Sequence, residues 1–73
     1  MYFRRIYELR EDHDIKQKVV AEYLGMDPTV YRRYEKGTRA IPVEAVIKLA
    51  DFYKVSTDYL LGRTDDPTPP RGK

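Results

Sequence analysis

The 73-residue chain has no cysteine, no tryptophan, a single histidine and only two methionines. Without cysteine, neither a disulfide framework nor a thiolate metal site can form. His13 stands alone, so imidazole ligation has no second partner, and the residue reads as a solvated loop position. No apolar run approaches the ~18 residues of a membrane span. Met1-Tyr2-Phe3-Arg4-Arg5 also lacks the apolar core of a signal peptide. These absences lead to the expectation of a soluble cytoplasmic protein. No nucleophile and base stand together and no glycine-rich phosphate loop occurs, so we expect no enzyme, no metal, no cofactor and no small-molecule ligand. Strand signals and internal repeats are missing as well, which leaves an all-α domain. At this length a single domain is expected, burying only ~60% of the surface its unfolded chain exposes.

Charge is plentiful but nearly balanced, 14 basic against 12 acidic residues, for a net +2. Its distribution says more. Between Lys16 and Arg39 six basic residues (Lys16, Lys18, Arg32, Arg33, Lys36, Arg39) face three acids (Glu22, Asp27, Glu35), a local surplus of +3. The remainder, eight against nine, carries −1. Such a concentration is the electrostatic footprint of a polyanion partner, although solvated basic surfaces are also common.

The cationic segment surrounds the best-punctuated stretch of the chain, Leu24-Gly25-Met26-Asp27-Pro28-Thr29-Val30-Tyr31-Arg32-Arg33-Tyr34-Glu35-Lys36-Gly37. Asp27 is an N-cap whose side chain can accept an orphan N–H, and Pro28 suits the first helical position. Gly37 supplies the left-handed stop. Thr29, Arg32, Arg33 and Lys36 follow the helical i, i+3, i+4, i+7 spacing and share one face, while Tyr31 and Tyr34 look elsewhere. About ten residues make a rod of about 15 Å, short enough to lie in a major groove about 12 Å wide.

Around it, residues 2 to about 12 read as a first helix with Phe3, Ile6, Tyr7 and Arg10 on one stripe and Leu9 beside it. Arg10 on an apolar stripe calls for a carboxylate partner. Glu11, Asp12 and Asp14 oppose the dipole and end the helix. A second helix, roughly 16–24, turns Val20, Ala21 and Leu24 inward, with Val19 and Tyr23 as an adjoining pair, and Gly25 permits a tight turn into the third. Two short helices so joined have the shape of a helix-turn-helix. Pro42 opens a fourth helix to about Tyr53, with Val43, Val46, Ile47 and Ala50 as its stripe, broadened by Leu49 and Phe52. Ser56 caps a short fifth, residues 57–61, ending at Gly62. From Arg63 onward the chain holds prolines but no other apolar residue, and 63–73 is expected to be a flexible, disordered tail behind a domain of residues 1–62.

In their order and spacing, Leu9-Arg10, Gln17, Val20-Ala21, Leu24-Gly25, Tyr34-Glu35 with Gly37, Leu49-Ala50 and Asp58-Tyr59-Leu60-Leu61-Gly62 resemble the lambda repressor and Cro-like helix-turn-helix family, also called Xre, over residues 3 to 62. The resemblance implies a compact five-helix domain whose third helix enters the major groove of double-stranded DNA. It further implies a transcriptional regulator acting as a homodimer on a palindromic operator. It supplies Glu35 as the partner of Arg10, a structural ion pair. It assigns Gln17, with Lys16 and Lys18, to phosphate clamping, and Thr29, Arg32 and Arg33 to base edges or nearby phosphates. Lys36, Thr38 and Arg39 follow as backbone contacts. Arginine reads guanine in bidentate fashion, which makes Arg33 the first choice and Arg32 the second. Pro28 stands where relatives place a long polar reader, leaving van der Waals contact there. Tyr31 replaces an aliphatic core residue, and its hydroxyl needs a partner. Val30 is either packed beside Tyr34 or partly exposed. The alternative reading is a protein-interaction component, such as an antitoxin or accessory factor, using Tyr59-Leu60-Leu61 and the proline-rich end.

Overall fold

A computed structural model describes residues 2–69. Five helices follow one another: α1 (Arg4–Asp12), α2 (Gln17–Leu24), α3 (Pro28–Lys36), α4 (Val43–Tyr53) and α5 (Thr57–Leu60), with no strand among the described residues. Their ends are set by local chemistry. Asp27 accepts the Thr29 N–H at 2.8 Å and Pro28 opens α3. Ser56 accepts the Tyr59 N–H at 2.9 Å to open α5. Gly25 and Gly37 sit in the left-handed region, at φ 71° and 80°, and close α2 and α3. Thus α2, the turn Gly25-Met26-Asp27 and α3 form the helix-turn-helix, and these two helices pack closely on each other.

Gly37 is constrained twice. Beyond its positive φ, a Cβ there would lie 2.7 Å from the Tyr2 Cα, far inside contact distance. The N-terminal segment therefore lies directly on the end of α3.

The core gathers Ile6 from α1, Val20, Ala21 and Leu24 from α2, Tyr31 from α3, Leu49, Ala50 and Tyr53 from α4, then Val55 and Leu60. Ile6, Val20, Tyr31, Leu49 and Leu60 are wholly enclosed, the aliphatic ones contributing about 1.5–3 kcal/mol each through burial. On α4 the buried face is Ala45, Val46, Leu49, Ala50 and Tyr53. The stripe expected from Val43 and Ile47 is corrected accordingly: these two face solvent, 73% and 48% exposed. Apolar residues cover so much of α4 that two overlapping stripes exist, and the helix turns inward the one carrying small Ala45 and broad Tyr53. Tyr7, also expected on a buried stripe, is exposed on α1.

Residues 63–69 have no helix or strand, as their prolines require, yet they are tied down. Arg5 is the clamp. Its guanidinium donates to the Tyr59 carbonyl at 2.9 Å, to the Thr64 carbonyl, and to Asp65 Oδ1 at 2.5 Å, while stacking 4.1 Å from the Tyr59 ring centre. Pro67, which cannot donate, accepts from the Ser56 N–H at 3.0 Å. Of the stretch expected to be a flexible tail, Thr64, Asp65 and Pro67 thus bond to the body, since proline forbids a helix but leaves its carbonyl available. Residues 70–73 of that expected tail lie outside the described residues.

Candidate nucleic-acid interface

The outer face of α3 is built by what its inner face removes. Tyr31 and Glu35, one helical turn apart, are buried, and Val30 and Tyr34 are half-buried. Pro28, Thr29, Arg32, Arg33 and Lys36 are exposed. Glu35, the only acid within α3, has 3% of its surface accessible, so the solvent side of the helix carries cations alone.

Glu35 is held by three helices. Arg10 Nε donates to Oε2 at 2.7 Å and Arg10 Nη2 to Oε1 at 3.1 Å. Gln17 Nε2 donates to Oε1 at 3.0 Å, and the Tyr31 hydroxyl to Oε2 at 2.7 Å. These four bonds match the roughly four acceptor positions of a carboxylate. Arg10 spends a further N–H on the Ile15 carbonyl at 2.8 Å, anchoring the α1–α2 connection. Burial pushes the Glu35 carboxyl up, but the hydrogen bonds from Arg10, Gln17 and Tyr31, together with the Arg10 charge, bring it below the usual carboxylate range. The Glu35 hydrogen bond raises Arg10 in turn against the effect of burial, so both partners remain charged. Tyr31 is raised by burial and by Glu35, and stays neutral as a donor.

Two features of this network escape the sequence reading. The Tyr31 hydroxyl finds its partner four residues on, a spacing that the sequence does display. Gln17, assigned by the resemblance to phosphate clamping, also donates its amide N–H to a residue 18 positions away, a contact with no local signature. What remains on the outside at the start of α2 are exposed Lys16 and Lys18 and the first backbone N–H groups, which have no intrahelical acceptor. After α3, the Thr38 hydroxyl bonds the Arg33 carbonyl at 3.2 Å, and Thr38 and Arg39 are both exposed. The structure thus brings Thr29, Arg32, Arg33 and Lys36 onto one helix, with Thr38 and Arg39 just beyond it. His13 is exposed, its Nδ1 2.8 Å from the Leu9 carbonyl and its ring 5.2 Å from that of Tyr53. No group of three or more potential metal ligands exists among the described residues.

The helix-turn-helix family matches residues 6–60, which include the whole buried network and all of α2 and α3. The chain belongs to the lambda repressor-like (Xre) helix-turn-helix family. Among curated relatives, an uncharacterised HTH-type transcriptional regulator of Bacillus subtilis, YobD, is 39% identical over 69 residues, covering 94% of this chain and 62% of that protein. The cryptic phage CTXphi transcriptional repressor RstR of Vibrio cholerae is 42% identical over 55 residues, covering 75% and 50% respectively. The HTH-type transcriptional regulator ImmR of B. subtilis is 36% identical over 62 residues, covering 85% and 49%. The chain therefore spans about half to three-fifths of the length of these relatives. No solved structure gives a significant match. None of the helices among the described residues is long and apolar enough to cross a membrane.

Proposed function

We propose that this Xre-family chain is a sequence-specific double-stranded DNA-binding transcriptional regulator acting in the cytoplasm without catalysis. The observation that carries this reading is the charge sorting on α3: its one acid is buried and paired, while Arg32, Arg33 and Lys36 all face solvent. Helix α3 lies in the major groove. Arg33 and Arg32 read base edges, Thr29 contacts a base or a nearby phosphate, and Pro28 makes only van der Waals contact. Lys16, Lys18, Lys36, Thr38 and Arg39 hold phosphates, with Gln17 at the edge of the clamp. The curated relatives, named as transcriptional regulators and a repressor, support the regulatory part.

Dimerisation on a palindromic operator completes the proposal. Exposed Val43 and Ile47 line a groove of about 350 Å³ with Phe3, Ile41, Val46 and Leu61, and Ile41 is two residues from Arg39. A second copy covering that groove would adjoin the DNA-facing surface. The protein-interaction reading draws on Tyr59-Leu60-Leu61, but Leu60 is buried, Tyr59 lies under Arg5, and Leu61 already lines the groove assigned to the second copy.

Selection of bound sequences from a random duplex pool, repeated at two salt concentrations, tests the reading. A palindrome with half-sites about 34 Å apart is expected. Weak binding without enrichment, vanishing as salt rises, overturns it. Arg33→Ala should relax one base position and Lys36→Ala should weaken all sequences alike; the reverse pattern overturns the assignment. Sedimentation of the operator complex should give two chains per palindrome, and Ile47→Lys should lower that occupancy.

A further inference from the structure

A cleft of about 270 Å³ opens between the N-terminal segment, α1, the start of α2 and the end of α3, lined by Tyr2, Tyr7, Arg10, Gln17, Glu35 and Lys36. Its floor is already neutralised, since Arg10 and Glu35 satisfy each other. Its rim is not. Tyr2 and Tyr7 are 53% and 42% exposed, and neither hydroxyl has an acceptor among the described residues. Lys36 is exposed beside them at the last position of α3. Tyr2 is fixed there by the contact of its backbone with Gly37, and Tyr7 lies 5.7 Å under the Arg10 guanidinium.

Such a rim offers two neutral hydroxyl donors and one ammonium, while Glu35, the acid in its lining, has its acceptor positions filled from inside the domain. A ligand suited to it is an acceptor-only anion. Duplex DNA presents such a group to a protein whose α3 is in the groove, because phosphates flank the groove on either side. We propose that this cleft seats one backbone phosphate of the duplex, with Tyr2 and Tyr7 as uncharged donors beside Lys36. The proposal rests on the DNA-binding reading above and adds α1 and the N-terminal segment to the contacting surface. Its consequence is chemical: contacts from tyrosine add affinity without displacing counterions, since only charged groups neutralise phosphates.

The test uses the full chain and its selected duplex. Tyr2→Phe, Tyr7→Phe and the double variant keep the aromatic surface and should melt like the parent. Each single variant should bind every sequence roughly tenfold more weakly and the double variant on the order of a hundredfold, as expected from loss of one and two hydrogen bonds to a charged acceptor. The slope of log affinity against log salt should be unchanged, whereas Lys36→Ala should reduce it by about 0.9. Replacing single phosphates by neutral methylphosphonate should reveal one position per half-site where the parent loses affinity and the double variant loses little more. Equal affinity of parent and double variant, a changed salt slope in the double variant, or additive losses at every phosphate would overturn the proposal. A parent that selects no duplex overturns the DNA-binding reading instead, so the two failures are distinguishable.

Discussion

Tyr31 and Arg10, from α3 and α1, donate to the same oxygen of Glu35, each at 2.7 Å. The carboxylate is therefore the point at which α3 is fixed to the rest of the domain. Removing it leaves the Arg10 guanidinium, 8% exposed, with only the half-exposed Glu11 carboxylate at 3.2 Å and the Ile15 carbonyl, and breaking a buried pair costs about 3–5 kcal/mol. Glu35→Ala should lower stability by that amount in urea or thermal unfolding. Melting indistinguishable from the parent would refute the anchoring role.

Glu35 also gives the domain a defined acid response. Its folded carboxyl lies below the unfolded value of about 4.3. Over that interval the unfolded chain binds more protons, so stability falls as pH falls. The urea midpoint should hold from neutrality to about pH 5 and then decline as pH drops through the folded value. Glu35→Gln should start lower at neutral pH and show a flatter profile. A midpoint that climbs on acidification would contradict the sign.

The two buried tyrosines should behave oppositely. The Tyr53 hydroxyl is buried and finds no partner among the described residues, and burial pushes it up to about 12. Tyr53→Phe removes an unsatisfied polar atom and should leave stability equal or raise it by about 1 kcal/mol. It should also lessen the loss of stability that deprotonation causes as pH rises from about 10. Tyr31→Phe breaks a bond to a charged acceptor and should cost about 1.5–3 kcal/mol. Paired denaturation curves decide the matter, and equal effects would show that the Glu35 bond contributes nothing.

Two glycines separate backbone strain from crowding. Gly25 and Gly37 both have positive φ, but a Cβ at Gly25 meets nothing within 4 Å, whereas at Gly37 it meets Tyr2 at 2.7 Å. Gly25→Ala should cost about 1–2 kcal/mol, the left-handed penalty alone. Gly37→Ala should cost visibly more and shift the resonances of Tyr2. Equal costs would mean that the N-terminal segment yields freely.

The limits of α2 and α3 could be read from the chain because Asp27, Pro28, Gly25 and Gly37 act within one turn of themselves. The cationic register of Thr29, Arg32, Arg33 and Lys36 was legible for the same reason, being a matter of period. The face that α4 buries was not, since Val43 and Ile47 are as apolar as the residues chosen and only the neighbouring helices decide. The Gln17–Glu35 bond has no local signature because its two ends lie on different helices. The contacts of Thr64, Asp65 and Pro67 are not legible in composition, which reports how poorly the stretch forms a helix and not where its carbonyls find donors.

The Arg5 clamp bears on where the domain ends. The family match covers residues 6–60, but Arg5 lies before it, and Thr64, Asp65 and Pro67 lie after it. A fragment cut to the family limits would lose the guanidinium and leave the Ser56 N–H without its acceptor. The contacts that tie the fold together thus reach from Arg5 to Pro67, closed like a buckle where the two segments meet.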